Sequence, residues 1–418
     1  WQKTQEKPAA PPAAPVAGPT KEMTFEEFER AYRTAYANMN KYTAEEVGRN
    51  IFADEMAKLS DAHPDWVEII ENKPEPAPAQ EAPSKPEVAL AMTFKDELHR
   101  RMISGDKPFT NTELMIMAAG HFGGTRAEGK FTPRQAYDAM EMGVNKYLLE
   151  HKDEVNPAFI EKILRILPTE TARTEEMQQF QQFSTPPNIA YVANWLANVT
   201  EQDIFAETSA GNGGLAVFAD INRVKGMILN ELDKGRVENL KWLFPDARVF
   251  NENAEHASDI ISPKLKAEEK PTVVVINPPF SASGGRMPGK KILDIVNLHI
   301  EQGLKLLPEN GRLVVITGRG FSLDAPTFRD FWGKLKANYT VKANVGLDGK
   351  NYKKYGTSFD IRMTVIDKTG PTSEEVYARD FVTTDEMLND PKLQEIRNGR
   401  PEIKRIPAGE QPAPQPVI

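Results

Sequence analysis

A chain of 418 residues is long enough for two or three domains rather than one. It contains no cysteine, which excludes disulfides, zinc-cysteine sites and every thiol mechanism, and no run of about 18 apolar residues, which argues against a transmembrane helix. The net charge of −8 does not mark the whole chain as a binder of polyanions.

The N-terminus, from Trp1 rather than a methionine, is polar and proline-rich and does not read as a secretory signal. A processed product or a piece of a longer protein would begin this way, and the expected setting is cytoplasmic. Residues 1–21 are a Pro/Ala-rich linker. Residues 22–73 read as a small helical module, with capping boxes at Thr24/Glu27 and Thr43/Glu46. A second Pro-rich linker spans 74–92. Residues 93–182 carry apolar side chains at three- and four-residue spacing in four stretches, the mark of a helical accessory domain. Pro133 and Pro157 fall where helices of that domain should start.

After Phe183 short apolar runs alternate with amphipathic helices. Strands are expected at Asp203–Glu207, Lys225–Asn230, Arg248–Asn251, Thr272–Ile276, Arg312–Thr317, Lys342–Val345 and Phe359–Asp367. Interleaved strands and helices predict an α/β domain over 183–370 with a doubly wound, Rossmann-like, mostly parallel sheet, preceded by the helical accessory domains. The last two strands are close enough in sequence to form an antiparallel terminal hairpin at the sheet edge. Residues 371–418 read as a polar extension with a Pro-rich tail. The six histidines show no ligand spacing, so no metal site is expected.

Three segments in this domain carry chemistry. Phe205–Ala219 runs from a strand through small residues (Ser209, Ala210, Gly211, Asn212, Gly213, Gly214) into a helix, at the strand edge where open sheets bind nucleotides. It has neither the dinucleotide fingerprint nor the Lys-Ser/Thr pair of a phosphate loop, so an adenosyl ligand without phosphates suits it; a plain tight turn fits it equally. Glu231, about 20 residues on at the end of the next strand, is placed to accept ribose hydroxyls; a plain helix N-terminal acid fits it equally. Asn277-Pro278-Pro279-Phe280 follows a buried apolar strand directly. An exocyclic amine on an aromatic base is a poor nucleophile, because its lone pair is delocalised into the ring. The Asn277 side-chain oxygen and the Pro278 carbonyl can accept its two N–H groups, drawing the nitrogen toward tetrahedral geometry. Consecutive prolines hold those acceptors in place, and Phe280 can stack on the ring.

These residues resemble the amino-group DNA methyltransferases, above all the adenine-specific enzymes of restriction-modification systems. Asn277 to Phe280 matches the catalytic motif in full. Phe183-Ser184-Thr185-Pro186-Pro187 resembles the upstream cofactor motif. Glu207 to Gly213 resembles the Asp-Pro-x-Cys-Gly-x-Gly loop, departing from it at Glu207, Thr208 and Ala210. Gly356-Thr357-Ser358-Phe359-Asp360 resembles the lead into the terminal hairpin. The resemblance covers under half the chain. It implies S-adenosylmethionine as cofactor, held by Thr185, Glu207, Ser209, Gly211, Gly213, Glu231 and Asn253, the last being a poor match to the family's adenine-contacting acid. It implies adenine in DNA as acceptor. The missing cysteine excludes the usual route to methylation at a cytosine ring carbon.

Between Arg312 and Arg362 ten Lys or Arg face four Asp or Glu. Arg286, Lys290, Lys291, Arg319, Lys353 and Lys354 are the residues expected to hold DNA phosphates. The domain also resembles the methylase part of large phage and plasmid proteins joined to a helicase-like region, some of them antirestriction proteins carried in the virion. Two other readings stay open: methylation of a protein glutamine or of RNA adenine, and a non-catalytic interaction protein on the same fold.

Overall fold

The computed structural model describes residues 85–105, 107–170, 184–279 and 292–403, with side chains from 295 onward in the last stretch. The linker 1–21, the helical module 22–73, Phe280, the basic loop with Arg286, Lys290 and Lys291, and the Pro-rich tail lie outside the described residues. The described residues all belong to one compact unit.

Among the described residues the first helices are α1 (Pro86–Ser104), α2 (Asn111–Phe122), α3 (Pro133–Glu150) and α4 (Pro157–Ile166). Proline opens α1, α3 and α4, where the absent N–H is not needed. Thr110 with Glu113 and Thr132 with Gln135 close capping boxes on α2 and α3, and Asn156 caps α4. The start of α1 falls inside the stretch expected to be linker. Its reason is apolar periodicity: Leu90, Ala91, Phe94 and Leu98 line one face and are fully buried. That face packs into the same hydrophobic core as the sheet.

Next come α5 (Pro187–Ala197), β1 (Ile204–Glu207), α6 (Ala216–Ile221), β2 (Gly226–Asn230), α7 (Lys234–Leu243), β3 (Arg248–Phe250), α8 (Ala257–Ile261), β4 (Val273–Ile276), α9 (Ile292–Leu306), β5 (Arg312–Gly318), α10 (Arg329–Asn338), β6 (Thr340–Leu347) and β7 (Ile361–Asp367). The last elements among the described residues are β8 (Asp380–Phe381), α11 (Thr384–Leu388) and α12 (Pro391–Asn398). The sheet order is β3-β2-β1-β4-β5-β7-β6-β8, and only β7 runs antiparallel to its neighbours. This is the mostly parallel, Rossmann-like sheet the sequence predicts. The β4 run Val-Val-Val-Ile is fully buried, as a central parallel strand covered on both faces requires.

The hairpin β6–β7 forms, but β6 is not the sheet edge. A further short strand, β8, pairs in parallel with it. The stretch expected to be a polar extension thus carries structure, with Met387, Leu393 and Ile396 in the core. Two arginines tie it down. Arg312 is fully buried, pairs with Asp367 through Nε at 2.6 Å and Nη2 at 2.8 Å, and donates to the Ile396 carbonyl. Arg400 grips Asp203 beside β1 through Nη1 at 2.7 Å and Nη2 at 2.6 Å. No helix among the described residues is long and apolar enough to cross a membrane.

Candidate active site

Because β1, β2, β4, β5 and β6 run in parallel, their carboxyl ends share one edge, and Glu207, Glu231 and Asn277 stand along it. Glu207 ends β1. The turn after it reaches Gly211 at φ +54° and Gly213 at φ +83°, both in the left-handed region. A Cβ on Gly213 would also stand 2.5 Å from Phe244 Cε2, so two independent constraints demand glycine there.

The turn is laced to the end of β2. The Ala210 N–H donates to the Asn230 carbonyl at 2.9 Å, and Asn230 Nδ2 donates to the Thr208 carbonyl at 2.9 Å. Glu231 accepts from the Gly211 N–H at 2.8 Å and from the Asp233 N–H at 2.8 Å. Asn253 lies just past β3 and accepts from the Glu255 N–H at 3.0 Å, capping a short 3-10 turn. Ser209 Oγ lies 3.3 Å from Nδ1 of His299, whose burial brings its pKa down to about 4 and keeps the ring neutral.

Asn277 follows β4, whose neighbour on one side is β1. Its Nδ2 donates to Thr185 Oγ1 at 2.9 Å and reaches the Tyr352 hydroxyl at 3.4 Å. Thr185 is buried, and its carbonyl is 3.2 Å from where a Gly214 Cβ would sit. Thr185, the β1 turn and Asn277 are therefore brought together. Asn277 Oδ1 is itself buried.

Sequence reasoning missed the support behind this edge. Helix α3 presents Asp138, Glu141 and Asn145 to the β1 turn. Asn212 Nδ2 donates to Asp138 Oδ1 at 2.8 Å and to Glu141 Oε2 at 2.7 Å, while Asn145 Nδ2 donates to the Asn212 carbonyl at 2.8 Å. Asn239 Nδ2 donates to Asn212 Oδ1 at 3.1 Å, and Ser184 Oγ donates to Glu141 Oε2 at 2.7 Å. The signal was present as polar residues at 134, 138, 141 and 145, a helical stripe on an otherwise apolar element.

The surroundings are strongly acidic. Burial, and then the neighbouring Asp138 carboxylate, push the Glu141 carboxyl up to about 7. Burial and the nearby Glu231 hold Glu207 well above the usual carboxylate range; burial and Glu141 do the same to Glu170. Burial opposes charge on Arg236, yet Asp138, 2.7 Å away, and Glu141 keep it protonated. Glu207 Oε2 is buried and has no hydrogen-bond partner among the described residues.

The far side of the same edge is basic. Arg319 follows β5, is largely exposed, and pairs with Asp360 at 3.0 Å. Lys353, in the 3-10 segment Gly349–Tyr355 after β6, is exposed. Lys354 is turned inward, its Nζ donating to the Leu167 carbonyl at 2.6 Å.

No protein-family model matches the chain, and no curated protein matches it. Solved structures do. A protein of Listeria monocytogenes described as a class I S-adenosylmethionine-dependent methyltransferase aligns over 89% of this chain and 91% of its own, at 13% identity and a TM-score of 0.43. A protein of Vibrio vulnificus described as a modification subunit of a type I restriction enzyme aligns over 86% and 84%, at 13% identity and a TM-score of 0.41. The M protein of the EcoKI type I restriction enzyme aligns over 71% of each chain, at 15% identity and a TM-score of 0.38. Identities this low concern the course of the backbone alone.

Proposed function

We propose that the chain transfers a methyl group from S-adenosylmethionine to the exocyclic amine of adenine in DNA. The observation that carries this reading is the position of Asn277. It leaves β4 beside the β1 turn, where its Nδ2 donates to Thr185 Oγ1.

The residues present fit the cofactor. S-adenosylmethionine supplies an electrophilic methyl on a cationic sulfur, and it carries a second positive charge on its amine. Buried carboxyls with raised affinity for protons favour such a cation and repel phosphates. Glu207, buried with one oxygen lacking a partner, suits an ammonium group, which would return it to the carboxylate. Glu231 suits ribose hydroxyls. Gly211 and Gly213 leave the turn free of side chains, and Thr185, Ser209 and Asn253 are the further residues proposed to hold the cofactor.

Asn277 Oδ1 and the Pro278 carbonyl accept the two N–H groups of the acceptor amine. That concentrates the nitrogen lone pair, and the amine proton leaves only after positive charge has developed on nitrogen, so no strong base is required. Phe280 stacks on the base once it has left the duplex. Arg319 and Lys353 meet the phosphates on the basic side of the edge, and Arg286, Lys290 and Lys291, which lie outside the described residues, are the further cations proposed to meet them. The neighbours described as restriction-enzyme subunits are consistent with a DNA acceptor.

The test is radiolabelled methyl transfer from S-adenosylmethionine to unmethylated duplex DNA, with RNA and protein acceptors in parallel and Asn277→Ala as control. Incorporation into DNA that Asn277→Ala abolishes supports the reading. Equal incorporation by the variant, or transfer to RNA or protein alone, overturns it.

A further inference from the structure

Phe359 has no part in the chemistry described so far. It stands two residues before β7 and is 40% exposed, and no other aromatic side chain among the described residues is exposed. Its place is the carboxyl edge, because β7 runs antiparallel to β5 and β6 and so begins where they end. Ile276 at the end of β4 pairs with Val315, whereas Ile361 at the start of β7 pairs with Gly318. The start of β7 therefore lies three residues (Val315 to Gly318), about 10 Å, farther out along the strands than the end of β4. It is also two strands, about 10 Å, to the side. Asn277 directly follows the first of these points, and Phe359 lies just beyond the second.

The chain that carries the ring is fixed. Asp360 Oδ1 accepts from the Gly349 N–H at 2.9 Å, and its Oδ2 accepts from Arg319 Nη1 at 3.0 Å. The Asp360 carbonyl accepts from the Arg319 N–H at 3.0 Å. A Cβ on Gly349 would collide with the Ser358 carbonyl and with the Phe359 backbone, so the two segments cross in close contact. The exposed ring thus stands on a rigid base. The exposed cation Arg319 is tied to that base, and Lys353, also exposed, belongs to the same β6–β7 connection.

Cations hold a duplex without help from apolar groups. A flat apolar ring set near them can contact the faces of bases, and those faces are open only where a base has left the stack. Moving an adenine out of a duplex costs its pairing and stacking, and the gap exposes the faces of the neighbouring pairs. A base taken in at Asn277 leaves that gap in the duplex outside the edge, the side on which Phe359 is exposed.

We propose that Phe359 enters the duplex at the position the target adenine vacates and stacks on the base pairs that flank the gap. This rests on the DNA-adenine reading above. It assigns Phe359 to the opening of the duplex, with no contact to the cofactor or to the reacting amine.

The experiment uses the full chain. The adenines it methylates in unmethylated DNA are located by sequencing. Two synthetic duplexes are then built around one of them: one fully paired, and one lacking the base opposite the target. An unopposed adenine leaves the stack at lower cost. Phe359→Ala should lower kcat/KM about tenfold or more on the paired duplex and no more than about twofold on the other. Phe359→Trp keeps a flat apolar ring and should stay within about threefold of the unaltered protein on both. Calorimetry should give an unchanged Kd for S-adenosylmethionine.

An unchanged rate of Phe359→Ala on the paired duplex overturns the proposal. So does an equal fall on both duplexes, the mark of a ring that touches the flipped adenine or the backbone. Fluorescence of 2-aminopurine put in place of the target reads the same step without catalysis. Phe359→Ala should raise it less than the unaltered protein does on the paired duplex, and an equal rise overturns the proposal. Absence of methyl transfer to any DNA by the unaltered protein overturns the function reading itself, and this inference with it.

Discussion

Glu141 Oε2 accepts from Asn212 Nδ2 at 2.7 Å, joining a helix that precedes the sheet to the turn after its first strand, 71 residues later. The same amide group bonds Asp138, and its oxygen accepts from Asn239. Asn212→Ala would leave a buried carboxyl, Glu141, and a half-buried one, Asp138, short of a donor. The expected loss is about 2–5 kcal/mol of stability, read by urea unfolding, together with weaker binding of S-adenosylmethionine by calorimetry. A loss under about 1 kcal/mol with unchanged binding would show that α3 merely lies against the turn.

The turn itself offers a sharper test. Gly213→Ala meets both a left-handed backbone and Phe244 Cε2 at 2.5 Å. Strain and overpacking together should cost about 2–5 kcal/mol. Adding Phe244→Leu makes room for the methyl and leaves the backbone strain, so the double variant should recover part of that loss and no more. Full recovery would show that backbone conformation contributes nothing here.

Much of the sheet was legible in the chain, since buried parallel strands must be short apolar runs. The starts of β1 and β4 and the end of β7 fall within about a residue of expectation, inside the usual uncertainty of element ends. The common edge of Glu207, Glu231 and Asn277 followed from the same logic, because each stands at or just after a strand end. What stayed hidden depends on pairing across long sequence distances. β8 has two residues and exists because β6 offers it an edge, with Arg312 and Arg400 pinning the chain that follows. Tyr352 looks like any core aromatic until its hydroxyl is seen beside Asn277. Lys354 reads as one more surface cation, yet it caps the Leu167 carbonyl.

The acidic surroundings make stability depend on pH in a direction that can be worked out. The folded protein holds the Glu141 proton up to about 7, against an ordinary value of 4.5. Between those values the unfolded chain releases a proton that the native state keeps, so raising the pH favours unfolding by about tenfold per unit from this group alone. Glu207 and Glu170 act in the same direction. His299 opposes them, because its pKa lies near 4 and it stays neutral when folded while the unfolded ring protonates below 6.5. Glu141→Gln isolates the one contribution: it cannot ionise, and its oxygen can still accept from Ser184 and Asn212. Urea midpoints at pH 5, 6, 7 and 8 should show the variant gaining on the unaltered protein as pH rises. A constant difference across that range would mean Glu141 titrates normally.

Arg312 and Asp367 form the most deeply buried ion pair among the described residues, at 0% and 2% side-chain exposure. Breaking such a pair leaves a charge in a site that cannot solvate it, so Arg312→Ala should cost about 3–5 kcal/mol. Arg312→Lys should rescue little, because a single ammonium cannot make the two parallel bonds to the carboxylate. Removing both partners should hurt less than removing the arginine alone, since no unpaired carboxylate then remains. The recovery should still be partial, because Arg312 also donates to the Leu196, Ile396 and Arg397 carbonyls. A double-mutant cycle in urea measures this directly. If Arg312→Ala and Asp367→Ala add without coupling, the pair is not what holds α12 and its flanking chain to the sheet.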